Sequence, residues 1–439
     1  MYAGPGQGLI PNNLFSIGII DSSRIFDILS LSINNQPLRN MIMEQQQSNI
    51  QPPEDTNKNR ARTKTAKQYA SIKNRLFLVD IIITVLGLFI LIMGGNSGIS
   101  GRFSAYLNSH LPNIYLINGV FVVVLIITYT ILFLPLSLYQ GYFLECRFRL
   151  STQSIGNWFR DKLKSLGISV VLSLIVIQAT YLLLRRTGSS WWIWAGILWI
   201  FFSIILNHLA PVLLIPIFYK LTPLNNPDLE NKLIQMAQKA GARIVGIFKI
   251  DLSRKTKKAN AAFTGMGRTK RILLSDTLLA RFSHRETGVI LAHELGHYYY
   301  QHLWKLLGLG IVTTFIGLWI VNQVLSFSVS RMGFTSISDI GTLPLFSLVL
   351  FIFMLIIMPV NNLFSRCFER QADKFSIETT DDPSAFISSM EKLSSQNLTD
   401  VSPNPIIHFI MHSHPSIKER IAMARSYIET KQPAPRQHE

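Results

Sequence analysis

Leu291-Ala-His-Glu-Leu-Gly-His-Tyr-Tyr-Tyr-Gln-His302 is the stretch on which the fold turns, because it sits directly before an apolar run that continues to about Leu325. His293 and His297 are four residues apart on a segment of helical pattern, so one turn brings both imidazoles to the same face. Two neutral imidazoles at that spacing can grip one zinc ion, and Glu294 projects beside them, where a carboxylate can take a proton from activated water. This His-Glu-x-x-His pattern is the signal of a zinc hydrolase. On an exposed amphipathic helix the same letters describe only a solvated polar face, so the surroundings of the stretch decide its meaning.

Those surroundings are membrane-like. The 439 residues are 48% hydrophobic with a mean hydropathy of +0.28, and the apolar residues come in blocks near 20 long. The formal charge of +17 comes from basic residues clustered beside these blocks, which reads as membrane topology and not as a nucleic-acid surface. Cys146 and Cys367 are the two cysteines, which excludes a disulfide framework and a paired CxxC zinc site. A metal must be held by His and carboxylate.

Residues 1–57 are Gly-, Pro-, Asn- and Gln-rich and read as a low-complexity or surface region, neither signal peptide nor span. Residues 58–220 hold a basic flank and spans one to four. Lys58 to Arg75 contains seven basic residues and no acid, and the spans run roughly Leu76 to Gly95, Asn113 to Tyr139, Gly167 to Leu184 and Trp191 to Tyr219. Trp191, Trp192 and Trp194 read as an interfacial belt, while Asn207 and His208 should face protein or a watery cavity.

Residues 221–302 form the first half of a small α+β part. Asn226-Pro227 starts a helix to Lys239 with Gly241 as its stop; Arg243 to Leu252 and Arg271 to Ser275 read as strands of a hairpin leading toward the zinc helix; Asn260 to Gly265 runs into a Gly-rich turn. Ser283 and Glu286 make a capping box, and the absence of proline from there to about Leu325 predicts a zinc helix continuous with span five. Residues 303–362 supply spans five and six, the latter from about Leu343 to Val360 and closed by Pro359 with Asn361 and Asn362. Residues 363–430 are the second half of the α+β part, and 431–439 a tail.

Short-loop charges give the orientation. Loop 96–112 has only Arg102 and loop 327–342 only Arg331, whereas 140–166 has five basic residues; Arg185 and Arg186 run against the trend. The balance places the His-Glu-x-x-His segment and the C-terminal portion in the cytoplasm.

A catalytic zinc of this kind needs a third protein ligand and one open position. Glu369, Asp373 and Glu378 follow span six on the same side. His302 would point away from the His293 and His297 face on a continuous helix, and Leu303 stands where a third His would be required. Glu369 and Asp373 share a helical face at i, i+4, so one can bind metal while the other orients an imidazole; spacing does not choose between them.

Together HELGH, Ser365-Arg-Cys-Phe-Glu-Arg-Gln-Ala-Asp373, Asn260-Ala-Ala-Phe-Thr-Gly265 and Ser413-His-Pro-Ser-Ile-Lys-Glu-Arg-Ile421 resemble the type I CAAX prenyl endopeptidase family of integral-membrane zinc metalloproteases. The likeness extends from about Tyr69 to Tyr427, through Leu134-Pro-Leu-Ser-Leu-Tyr139 and Leu221-Thr-Pro-Leu224. The resemblance implies Glu369 as third zinc ligand, Asp373 as its supporting neighbour, Asn260 as a binder of substrate backbone at an edge strand and His414 as oxyanion stabiliser, with His408 and His412 its rivals on composition alone. Arg420 is expected to pair with a site carboxylate. The resemblance also implies a helical barrel enclosing an intramembrane chamber; eukaryotic members have seven spans, where six are evident here.

The expectation is therefore a multi-pass α-helical membrane protein of about six spans with a cytoplasmic α+β part, holding one Zn2+ per chain and acting on peptide or protein C-termini, prenylated or membrane-inserted, with no nucleic acid. Its membrane is the plasma membrane in a prokaryote and the endoplasmic reticulum in a eukaryote. The alternatives are a quality-control metalloprotease of the heat-shock type and, from another class, a non-catalytic zinc-stabilised scaffold.

Overall fold

Six helices dominate the protein's architecture, a computed structural model that describes residues 56–265 and 267–431. Expectations for residues 1–55 and for the tail 432–439 lie outside the described residues. The helices of membrane-spanning length and composition are Ala61–Ile92, Ile114–Arg147, Ile155–Arg186, Gly188–Phe218, His302–Arg331 and Ile340–Thr380. Each expected span overlaps one of them, running past its ends by at most a few residues.

Helix α1, Thr56–Ile92, includes both the basic flank and the first apolar block. Gly94 and Gly95, at φ 82 and 57, then turn the chain into α2, Ile99–His110, a helix where a plain loop was expected. Asn113 caps α3, Ile114–Leu138, by accepting from the Tyr115 N–H, and Ser154 caps α4, Ile155–Arg186. In α5, Trp191–Leu209, the tryptophans do not form one belt: Trp191 is fully buried and donates to Asn322 Oδ1 at 2.6 Å, while Trp194 is exposed. Asn207 and His208 are both exposed on that helix.

The small sheet has the order β1-β2-β4-β3, with β1 Leu221–Pro223, β2 Ile247–Ile250, β3 Ala261–Thr264 and β4 Arg271–Ser275. β2 and β4 are parallel, so they are not the expected hairpin. β3 takes that role, pairing antiparallel with β4, Ala261 opposite Leu274, across a turn in which Gly265 at φ 91 leaves no room for a Cβ against Thr269. The Ala-Ala-Phe-Thr segment is thereby the edge strand. α6, Pro227–Lys239, starts on an Asn226 cap and ends before Gly241 at φ 72, as expected.

α7, His284–Tyr299, opens with the Ser283 and Glu286 capping box and packs Leu291 and Leu295 into one apolar cluster with Leu233, Ile247 and Leu274. It does not run into span five. Gln301 adopts φ 55, breaking the helix, and α8, His302–Arg331, begins after it. The opposite correction applies to α9, Leu343–Thr380, which passes through Pro359 and the Asn pair without ending. Membrane helices tolerate an internal proline because their neighbours satisfy the released backbone groups. α10, Pro383–Asn397, α11, Pro405–Met411, and α12, Ile417–Lys431, complete the chain.

Candidate metal centre

α7 and α9 approach so closely that a Cβ on Gly296 would stand 2.9 Å from Ala372 Cα. Only hydrogen at this position lets the two backbones meet, and the meeting sets three side chains face to face. His293 Nε2 and His297 Nε2 are 3.2 Å apart, and each lies 3.3 Å from a Glu369 carboxylate oxygen. The ligand atoms of these three residues all fall within 4.8 Å of one another. Two bonds of about 2.05 Å at a tetrahedral angle separate donor atoms by about 3.3 Å, close to the separation of the two imidazole nitrogens and of each from one of the two Glu369 oxygens. Glu369 is 1% exposed, and its Oε2 forms no aligned hydrogen bond although His414 Nδ1 lies 2.8 Å away. A buried carboxylate without an aligned donor, facing two imidazoles, is a cation site by its chemistry.

Around this trio the supporting groups are explicit. Asp373 Oδ1 lies 2.8 Å from His293 Nδ1, which fixes the proton there and leaves Nε2 with its lone pair toward the centre. Arg420 Nε donates to Asp373 Oδ2 at 2.8 Å, and its Nη2 donates to Oδ1. Burial opposes a charge on His293, but the Asp373 and Glu369 carboxylates dominate and push the imidazole up to about 10.

His302 is the residue that helical extrapolation misplaced. Because the chain breaks at Gln301, its Nδ1 returns to 3.0 Å from His297 Nδ1, and its Nε2 lies 2.9 Å from Gln371 Oε1. A donor toward Gln371 leaves Nδ1 as acceptor for His297, so His302 orients the second imidazole as Asp373 orients the first. No spacing rule contained this, since the signal is a backbone conformation. Glu378 is exposed beside Lys374, 3.7 Å away, and remote in role from the trio.

The centre opens into a cavity of roughly 330 Å3 whose lining includes Asn260, Glu294, His412, His414 and Arg420. Glu294 Oε2 accepts from the Phe263 N–H of the edge strand at 3.3 Å, tying α7 to β3. Asn260 is fixed by its backbone: its N–H donates to Ser275 Oγ and its carbonyl accepts from the Ser275 N–H, each at 2.9 Å. His414 Nε2 is buried without a partner. His408 instead holds the His414 carbonyl, and burial pushes the His412 imidazole down to about 4, keeping it neutral.

Comparison with known proteins agrees over most of the chain. Residues 43–220 match the family model described as CAAX prenyl protease N-terminal, five membrane helices, and residues 223–428 match peptidase family M48. The chain is similar to an uncharacterized metalloprotease, YhfN, of Bacillus subtilis (strain 168), 30% identical over 82% of this chain and 84% of that protein. It is 29% identical to the CAAX prenyl protease 1 homolog of Arabidopsis thaliana, over 66% of this chain and 68% of that one. It is 28% identical to CAAX prenyl protease 1 of Saccharomyces cerevisiae, over 69% and 70%. The crystal structure of S. mikatae Ste24p shares the fold, with a TM-score of 0.70 at 23% identity, covering 82% of this chain and 88% of that chain.

Proposed function

Since the chain belongs to peptidase family M48 and is a multi-pass membrane metalloendopeptidase, we propose that it uses zinc, held by His293, His297 and Glu369, to hydrolyse C-terminal peptides of prenylated proteins. The observation that carries the metal is the trio itself, two imidazoles and a buried carboxylate whose ligand atoms lie within 4.8 Å of one another. Zinc there supplies Lewis acidity toward a scissile carbonyl and makes water more acidic.

The chain's own groups do the rest. Glu294, beside the ligands and held at the edge strand, takes the proton of the attacking water and returns it to the leaving amine. The outer side of β3 receives the substrate main chain as an added strand, with the Asn260 amide matching a peptide unit because it both donates and accepts. His414 Nε2 donates to the oxyanion. Asp373 and Arg420 hold His293 in its binding tautomer. An intact general base would serve no purpose in a zinc-stabilised scaffold. The prenylated substrate rests on the relatives' names and on the cavity beside the membrane helices; the orientation rests on the basic loops, which put the centre at the cytoplasmic face.

The test is a side-by-side assay of pure zinc-loaded protein with a prenylated C-terminal peptide, its unprenylated counterpart and an unfolded membrane protein. The prenylated peptide should be cleaved with the highest kcat/KM; equal use of its unprenylated counterpart would sink the prenyl assignment. Glu294→Gln should keep one metal per chain and lose hydrolysis by about 100-fold or more.

A further inference from the structure

α9 carries four polar residues on one stripe, Asn362, Arg366, Glu369 and Asp373, at the spacing of a single helical face. The last two serve the metal trio. The first two reach α11 and the segment that follows it. Asn362 Nδ2 donates to the Ile410 carbonyl at 3.1 Å. Arg366 Nη1 donates to the carbonyl oxygens of His408, Phe409 and His412 at 3.2, 3.4 and 2.5 Å. The guanidinium is buried, in a residue 5% exposed.

These carbonyls belong to the end of a seven-residue helix, where a cation opposes the helix dipole; the His408 carbonyl also accepts from the His412 N–H. Read only as a cap, Arg366 would stabilise α11. Its location on α9 adds a second consequence. The segment it gathers leads directly to His414, whose carbonyl accepts from His408 Nε2 at 2.9 Å and whose Nδ1 is 2.8 Å from Glu369 Oε2. One helix therefore sets both the ligand Glu369 and, through Arg366 one turn earlier, the reach of His414 over it.

We propose that Arg366 is a positioning residue for peptide hydrolysis: it holds residues 405–414 so that His414 Nε2 faces the reacting carbonyl. The inference rests on the oxyanion role of His414. All three carbonyls gather on one Nη1, whose two N–H groups lie in the guanidinium plane and point in fixed directions, whereas an ammonium is a compact point charge on a flexible stem, so Arg366→Lys keeps the charge and relaxes the geometry.

The experiment uses the full chain, zinc-loaded, as wild type, Arg366→Lys, His414→Ala and the double variant. Arg366→Lys should keep its zinc and melting temperature, speed amide exchange within 405–416, and lower kcat by about tenfold or more at nearly constant KM. The double variant should be no slower than His414→Ala alone. Additive losses in the double variant, or exchange in 405–416 as slow as in wild type, overturn the proposal. So does an Arg366→Lys protein that loses zinc and unfolds, since that is the behaviour of a cap alone. A His414→Ala enzyme with full activity removes the oxyanion assignment itself, and the proposal with it, whereas unaltered exchange removes the proposal alone.

Discussion

Each imidazole at the centre is held by a second residue, His293 by Asp373 and His297 by His302. Glu369→Ala should abolish metal binding, read by elemental analysis, because it removes the one anionic donor of the trio. His302→Ala should keep the metal but weaken its affinity by about 10- to 100-fold, measured by chelator competition, because His297 loses the acceptor that fixes its tautomer. Away from the centre, burial would raise the Glu286 carboxyl, but the Lys392 ammonium at 2.7 Å and the Ser388 and Ser283 groups outweigh it and bring it down to about 2 from 4.5. A depressed carboxyl stabilises the fold above its unfolded pKa and loses that contribution as pH falls toward its folded one. Glu286→Gln should therefore melt lower than wild type at pH 7, by about 1 to 2 kcal/mol of stability, and the gap should close between about pH 4.5 and 2.

At the scale of elements, the close contact of α7 with α9 and the break between α7 and α8 build the site. Gly296 is the contact: a branched side chain would collide with the Ala372 backbone and force the helices apart. Gly296→Val should lower metal content although no ligand is altered, and metal analysis of the purified variant checks it. Gln301 is the break, a non-glycine residue at φ 55 whose side chain caps nothing. Gln301→Gly should raise thermal stability by up to about 1 kcal/mol while keeping the His302 contact, since glycine enters that conformation without steric cost. The α7 start at Ser283 and the α6 start at Asn226 were legible because capping chemistry lies within four residues. The β2 to β4 pairing was not, because parallel neighbours are joined by a crossover and leave no short turn signal.

For the whole molecule, the chain order puts the sheet-bearing part between the fourth and fifth long helices. In a cysteine-free background, a cysteine at Glu391 should react with an impermeant reagent from the cytoplasmic side and one at Thr335 from the opposite side. The reverse pattern would invert the topology drawn from the basic loops. Asn397-Leu-Thr399 has the pattern of a glycosylation sequon, but the Asn397 amide is buried and holds both the N–H and the carbonyl of Ala259.

What the chain's letters determined is local or compositional: six apolar blocks, the helix caps, two histidines one turn apart, and a short set of carboxylates after the last span. Hydropathy and helical period are properties of neighbours along the chain, which is why they survive reading in one dimension. Spacing leaves Glu369 and Asp373 equal and the family resemblance favours Glu369; the tertiary structure sets its oxygens toward both imidazoles, turns His302 back onto His297, and joins Arg366 to the His414 segment. Those choices depend on a backbone conformation at Gln301 and on how closely α7 and α9 approach, and neither distance nor φ is written in any spacing of residues.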